Sequence, residues 1–143
     1  MGAQINRHQA DKILSYVQIA KEEGATIACG GDYYTENGCE KGSFVQPTLI
    51  TNVTNDMRVA QEEIFGPVAV VIKFKTEEQA VAIADNCTYG LSSGVISGEI
   101  QRAIRVARQL DAGNCTINGT GLYRTHDMPF GGHRKSGLGT EGL

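Results

Sequence analysis

The chain has 143 residues, 41% of them hydrophobic, with 13 basic and 16 acidic side chains and a net charge of −3. That length suits one domain with its own core, and the hydrophobic fraction excludes a disordered tail. No basic block points to nucleic acid, and the apolar runs are short (PVAVVI at 67–72), so none is long enough to span a membrane.

In chain order, residues 8–23 carry a helical stripe of Ala10, Ile13, Leu14, Val17 and Ala20, with Gly24 placed to stop it. Thr26–Cys29 reads as a short strand. Residues 31–44 read as a hairpin or surface loop with Asn37-Gly38 as its turn, and residues 45–53 as an extended run that Pro47 pushes toward a sheet edge. Asn55 is a candidate cap for a helix over 56–63, ended by Gly66-Pro67. Residues 68–74 are the most strand-like run, apolar enough to predict burial on both faces. Thr76 and Gln79 make a capping box for a helix whose inner face is Ala80, Ile83, Ala84 and Cys87. A strand over 91–97, a helix over 99–110 and a strand over 112–118 follow. From Gly119 onward no period is visible, and residues 119–143 read as a loop-rich tail. The order predicts an α/β fold, a layered sheet with crossover helices, in one domain over 1–143.

Four cysteines, Cys29, Cys39, Cys87 and Cys115, form no CxxC pair, so free thiols in a reducing compartment are expected, and no metal site. The N-terminus has no apolar signal core, which makes the cytoplasm the default location. Asn52, Asn86, Asn114 and Asn118 each begin an Asn-x-Thr triplet and read as turn chemistry. The tail contains GLGTEG at 137–142, but it follows no strand and opens no helix, so it is not a dinucleotide fingerprint.

The stretch QEEIFGPV at 61–68 puts two carboxylates at a predicted helix end, where the dipole disfavours negative charge, followed by an aromatic ring at a Gly-Pro break. From spacing alone, Glu63 is equally a surface charge and Phe65 a plug under the turn. Together with TYGLSSGV at 88–95, MPFGGHRKSGLG at 128–139, GSFVQPTLITNV at 42–53 and AGNCTIN at 112–118, however, this stretch resembles the C-terminal part of the catalytic domain of the NAD(P)-dependent aldehyde dehydrogenase superfamily, over nearly the whole chain.

The resemblance implies roles. Glu63 would accept hydrogen bonds from the cofactor ribose hydroxyls, two oxygens meeting a vicinal diol. Phe65 would pack near the nicotinamide, whose oxidised ring is cationic and attracted to an aromatic face by ~0.5–2 kcal/mol. Glu62 has no role in the pattern and is expected to be solvated. Phe130 would line the aldehyde tunnel, or else anchor its loop. Arg124 and His126, just before it, are either contacts for an acidic substrate group or solvated loop charges.

The family's nucleophilic cysteine, glutamate base, oxyanion donor and Rossmann-type cofactor domain match nothing in these residues. The expectation is therefore a truncated segment of an enzyme that oxidises an aldehyde to a carboxylate with NAD or NADP. Alone it would be inactive, and exposed sheet edges would make it a homo-oligomer. Two rivals stand beside this reading: a non-catalytic self-associating module that keeps the fold, and a small nucleotide binder that uses Glu63.

Overall fold

Asn6 opens α1 (Arg7–Glu22) by accepting the Gln9 N–H on its side-chain oxygen, and Gly24, at φ 91°, follows the Glu23 cap in the left-handed conformation that ends it. The computed structural model that shows this describes residues 1–142. The chain falls into two compact units, Met1–Lys73 and Phe74 onward.

In the first unit, α1 lays Ala10, Ile13, Tyr16 and Ala20 onto a core completed by Val45, Ile50, Val53, Val59 and Ile64. Ile13 and Ile50 are fully buried, which contributes about 1.5–3 kcal/mol each. The sheet runs β1 (Thr26–Cys29), β2 (Thr48–Thr51), β3 (Val68–Val70), with β1 antiparallel and β3 parallel to β2. The β2–β3 connection carries the single turn of α2 (Arg58–Gln61). Asn37 and Gly38 both take positive φ, as their turn requires, and Tyr33 bridges to Val45 across the loop.

Four expectations change here. β2 is the central strand, not an edge: Pro47 stops one residue short of it, so its missing N–H interrupts no ladder bond. The cap of α2 is Met57, not Asn55, and the Glu23 carboxylate receives the Arg58 N–H at 3.0 Å. The helix ends at Gln61, so Glu62, in extended backbone, and Glu63 lie beyond it and the conflict with the helix dipole does not arise. β3 is three residues long and not buried on both faces: Ala69 is exposed, as are Val71 and Phe74 after it, at 40% and 60%.

In the second unit, Thr76 caps α3 (Glu77–Asp85), while Gln79 reaches back to the Lys75 N–H at 2.7 Å, one residue outside the reciprocal box. No α3 residue is fully buried. β5 (Ser92–Val95) lies within the expected 91–97 strand, a further short strand β4 (Tyr89–Gly90) precedes it, and α4 (Ile100–Ala107) crosses to β6 (Asn114–Ile117), which runs parallel to β5. Arg105 forks onto Glu77, joining α4 to α3. The tail is not structureless: β7 (His133–Arg134) pairs antiparallel with β4, and Phe130 bridges to Glu141. The α/β class and the helix-bearing parallel crossovers hold, carried among the described residues by one three-stranded and two two-stranded sheets.

Candidate functional site

Residues 62–66 form the bend between α2 and β3. Glu62 has extended backbone (φ −109°, ψ 146°), in which successive side chains point to opposite sides. Glu62 turns toward α1, accepting the Tyr16 hydroxyl at 2.8 Å and a two-pronged contact from Arg58 at 2.7 and 3.0 Å. Ile64 enters the core at 8% exposure. Glu63, between them, is exposed, and among the described residues it has no hydrogen-bond or ion-pair partner. Phe65 is 73% exposed at φ 56°, the left-handed region that a bulky side chain avoids at a cost of about 1–3 kcal/mol. Gln9 Nε2, from the first turn of α1, donates to the Phe65 carbonyl at 3.0 Å. Gly66 lies against Ile13 so closely that a Cβ there would fall 2.4 Å from Ile13 Cδ1.

Three points on α1, Gln9, Ile13 and Tyr16, thus brace a bend that presents a bare carboxylate and an aromatic ring to solvent. Glu62 is solvent-exposed, as expected, but it is also paired: Arg58 first, and then Tyr16, hold its carboxyl down to about 2 from the ordinary 4.5. The EE doublet hides this split because one-residue alternation is invisible until the chain is known to be extended. A 410 Å³ concavity is lined by Gly66 and Pro67 together with Cys29, Thr48, Leu49 and Val68.

In the second unit, Phe130 is half-buried beside a 380 Å³ hollow shared with Leu91, Ser136, Leu138 and Thr140. Its N–H and C=O both pair with Glu141, each at 2.7 Å. Arg124 stacks its guanidinium 4.2 Å above the Phe130 ring and donates to Glu141 Oε2 at 2.9 Å. Of the three residues singled out in the tail, Phe130 and Arg124 are therefore together, with Arg124 already paired to a carboxylate that the sequence did not single out. His126 is exposed. Gly113 permits the loop to close, since a Cβ there would sit 1.6 Å from the Gly131 carbonyl oxygen.

The same loop is fastened by Arg134, at φ 55°, whose guanidinium donates to the Asp85 and Cys87 carbonyls at 2.8 and 2.7 Å and to Asp111 at 2.7 Å. His133, then Arg134, hold the Asp111 carboxyl below its usual range. Cys29 is exposed and the other three thiols are partly buried, with Cys87 Sγ lodged against the Tyr89 backbone. Among the described residues no three His, Cys, Asp or Glu side chains gather as a metal site would need, and no helix is long and apolar enough to cross a membrane.

The bend and the braced tail loop lie in a sequence that matches the aldehyde dehydrogenase family model over residues 1–143, and the chain belongs to the aldehyde dehydrogenase family. It is 47% identical to the betaine aldehyde dehydrogenase of Brucella anthropi and 43% identical to that of Brucella melitensis, over 99% of this chain in each case. Its structure superposes on the betaine aldehyde dehydrogenase of Staphylococcus aureus in complex with NAD+ at a TM-score of 0.95, with 43% identity, covering 99% of this chain and 28% of that one. A putative aldehyde dehydrogenase from Burkholderia cenocepacia superposes equally well at 39% identity. The chain spans 29% of the length of the curated relatives it matches.

Proposed function

We propose that these residues serve a complete enzyme that oxidises an aldehyde to a carboxylate with NAD or NADP, and that they supply part of the wall of its cofactor and substrate pocket. The observation that carries this is the Glu63–Phe65 bend: an exposed carboxylate without a partner beside an exposed aromatic in strained backbone. Strain and exposure together are not what a stability role selects, and such positions cluster at ligand contacts. The bend fits a nicotinamide nucleotide, because Glu63 offers two free acceptor oxygens for ribose hydroxyls and Phe65 offers a ring face to a cation. When bound, the cofactor supplies the hydride acceptor. The protein's share is to hold the ribose and so fix the ring's place.

In the tail, Phe130 is proposed to face the aldehyde, with Arg124 propping the ring from its other side. Because Arg124 is already paired with Glu141, it is a weaker anchor for an anionic aldehyde. A small cationic aldehyde of the kind in the relatives' names is the better fit, since an aromatic face attracts it. NAD has the support of the NAD+-bound relative over NADP. The cytoplasm is the proposed location.

The deciding measurement is NAD+ affinity in the complete enzyme with Glu63→Gln, which keeps the shape and removes the charge. A roughly 10-fold or larger loss is expected, as for a charged hydrogen-bond acceptor. Unchanged affinity would defeat the reading. The 143 residues by themselves are proposed to be inactive, since none of the four cysteines lies in a segment resembling that of the family's nucleophile. NAD reduction by this chain with betaine aldehyde would refute that.

A second reading, self-association, is favoured by one feature. Val71 and Phe74 expose apolar surface just past β3, which ends the β1-β2-β3 order. Light scattering after size exclusion should show a homo-oligomer, and a strict monomer at high concentration speaks against it.

A further inference from the structure

Glu62 and Glu63 are adjacent and chemically identical, yet the structure gives them opposite situations. Glu63 is bare, whereas Glu62 carries three hydrogen bonds from two elements. Tyr16 belongs to α1 and is 8% exposed, so its hydroxyl is fixed by a ring that cannot swing. Arg58 belongs to α2; its own N–H is held by the Glu23 carboxylate at the end of α1, and its guanidinium lies 5.7 Å from the Tyr16 ring centre. The Glu62 N–H donates in turn to the Arg58 carbonyl at 2.8 Å. Both the backbone and the side chain of residue 62 are thereby fixed one peptide before Glu63.

From this geometry we propose that Glu62, clamped by Tyr16 and Arg58, is a positioning residue for the Glu63–Phe65 bend. The inference rests on the reading of Glu63 as the ribose-holding carboxylate. The physical argument is alternation. In an extended segment the direction of side chain 63 is set by where side chains 62 and 64 are anchored. Ile64 is anchored by burial alone, which is non-directional. Glu62 supplies the directional anchor, because two-pronged guanidinium–carboxylate pairing fixes orientation as well as distance. Without it the segment can rotate about the Ile64 contact, and the Glu63 carboxylate loses its fixed aim while remaining exposed and charged.

The experiment uses the complete enzyme and measures NAD+ dissociation constants, together with KM for NAD+, KM for aldehyde, and kcat. Variants are Glu62→Gln, Tyr16→Phe, Glu63→Gln and the double variant Glu62→Gln/Glu63→Gln, with thermal melts to show that each is folded. Tyr16→Phe keeps the ring in the core and removes only the hydroxyl, so it remains informative if Glu62→Gln does not fold. The expected result is a roughly 3–10-fold weaker NAD+ affinity in Glu62→Gln and Tyr16→Phe, as for loss of one or two hydrogen bonds, with KM for aldehyde unmoved. In the Glu63→Gln background the Glu62→Gln change should add nothing, since it acts through Glu63.

If Glu63→Gln weakens NAD+ binding while folded Glu62→Gln and Tyr16→Phe bind as wild type, the positioning role is overturned and the ribose-clamp reading survives. Additive losses in the double variant also overturn it. If Glu63→Gln itself has no effect, the clamp reading and the positioning role fall together.

Discussion

Gln9 Nε2 donates to the Phe65 carbonyl at 3.0 Å, joining residues 56 positions apart and tying the first turn of α1 to the left-handed residue of the bend. The bond constrains the backbone on either side of a strained φ. Gln9→Ala is expected to destabilise the protein by about 0.5–1.5 kcal/mol, measured by urea titration, and to weaken NAD+ binding in the complete enzyme. Gln9→Glu, which cannot donate, should behave similarly.

Phe65 offers a sharper test of function against stability. Its ring is 73% exposed, so Phe65→Gly forfeits little burial. The change relieves about 1–3 kcal/mol of left-handed strain, offset by about 0.5–1 kcal/mol of glycine chain entropy. The melting temperature should hold or rise while NAD+ affinity falls. A substantially lower melting temperature would mean that the ring is structural.

Gly66→Ala should be costly for a local reason. The new Cβ would meet Ile13 Cδ1 and Cγ1 at 2.4 and 2.6 Å, and Ile13 is fully buried with nowhere to go. A loss of about 1–3 kcal/mol is expected from overpacking. Adding Ile13→Val should recover part of it, and equilibrium unfolding of the single and double variants reads both.

The Glu62 clamp also predicts an acid limb. The folded state holds this carboxyl at about 2, against 4.5 ordinarily, so the unfolded chain takes up its proton first on acidification. The contribution is fully present above pH 4.5 and is lost as pH falls toward 2. Melting curves across pH 2–5 should therefore fall less steeply in Glu62→Gln than in the parent. Equal slopes would mean that the clamp does not form in solution.

Arg134 fastens the tail loop to the end of α3, and its removal should be felt along the chain. Arg134→Ala is expected to raise amide exchange at Lys135 and Gly90, whose N–H groups donate to Thr88 and Ser136. In the complete enzyme, KM for aldehyde should rise more than KM for NAD+. Exchange unchanged at both amides would show that the β4–β7 pairing holds the loop without Arg134.

The local elements were readable from the sequence wherever short-range chemistry decides. The apolar stripe and Gly24 set α1, Thr76 capped α3, and Asn37-Gly38 made its turn because each acts within a few residues. The motifs around Glu63, Phe65 and Phe130 carried the family in the same way, since family signatures are linear. Asn52 and Asn118, taken as turn residues, do adopt positive φ.

Tertiary structure alone decided the rest. Pro47 gave no sign that β2 would be central, because strand order depends on partners remote in sequence. The tail showed no period, yet β7 exists because β4 lies beside it. The division of labour between Glu62 and Glu63, and the capture of Arg124 by Glu141, follow from what happens to be opposite each side chain once the chain has closed on itself. A sequence specifies the charge; only the fold supplies its counter-charge or withholds it.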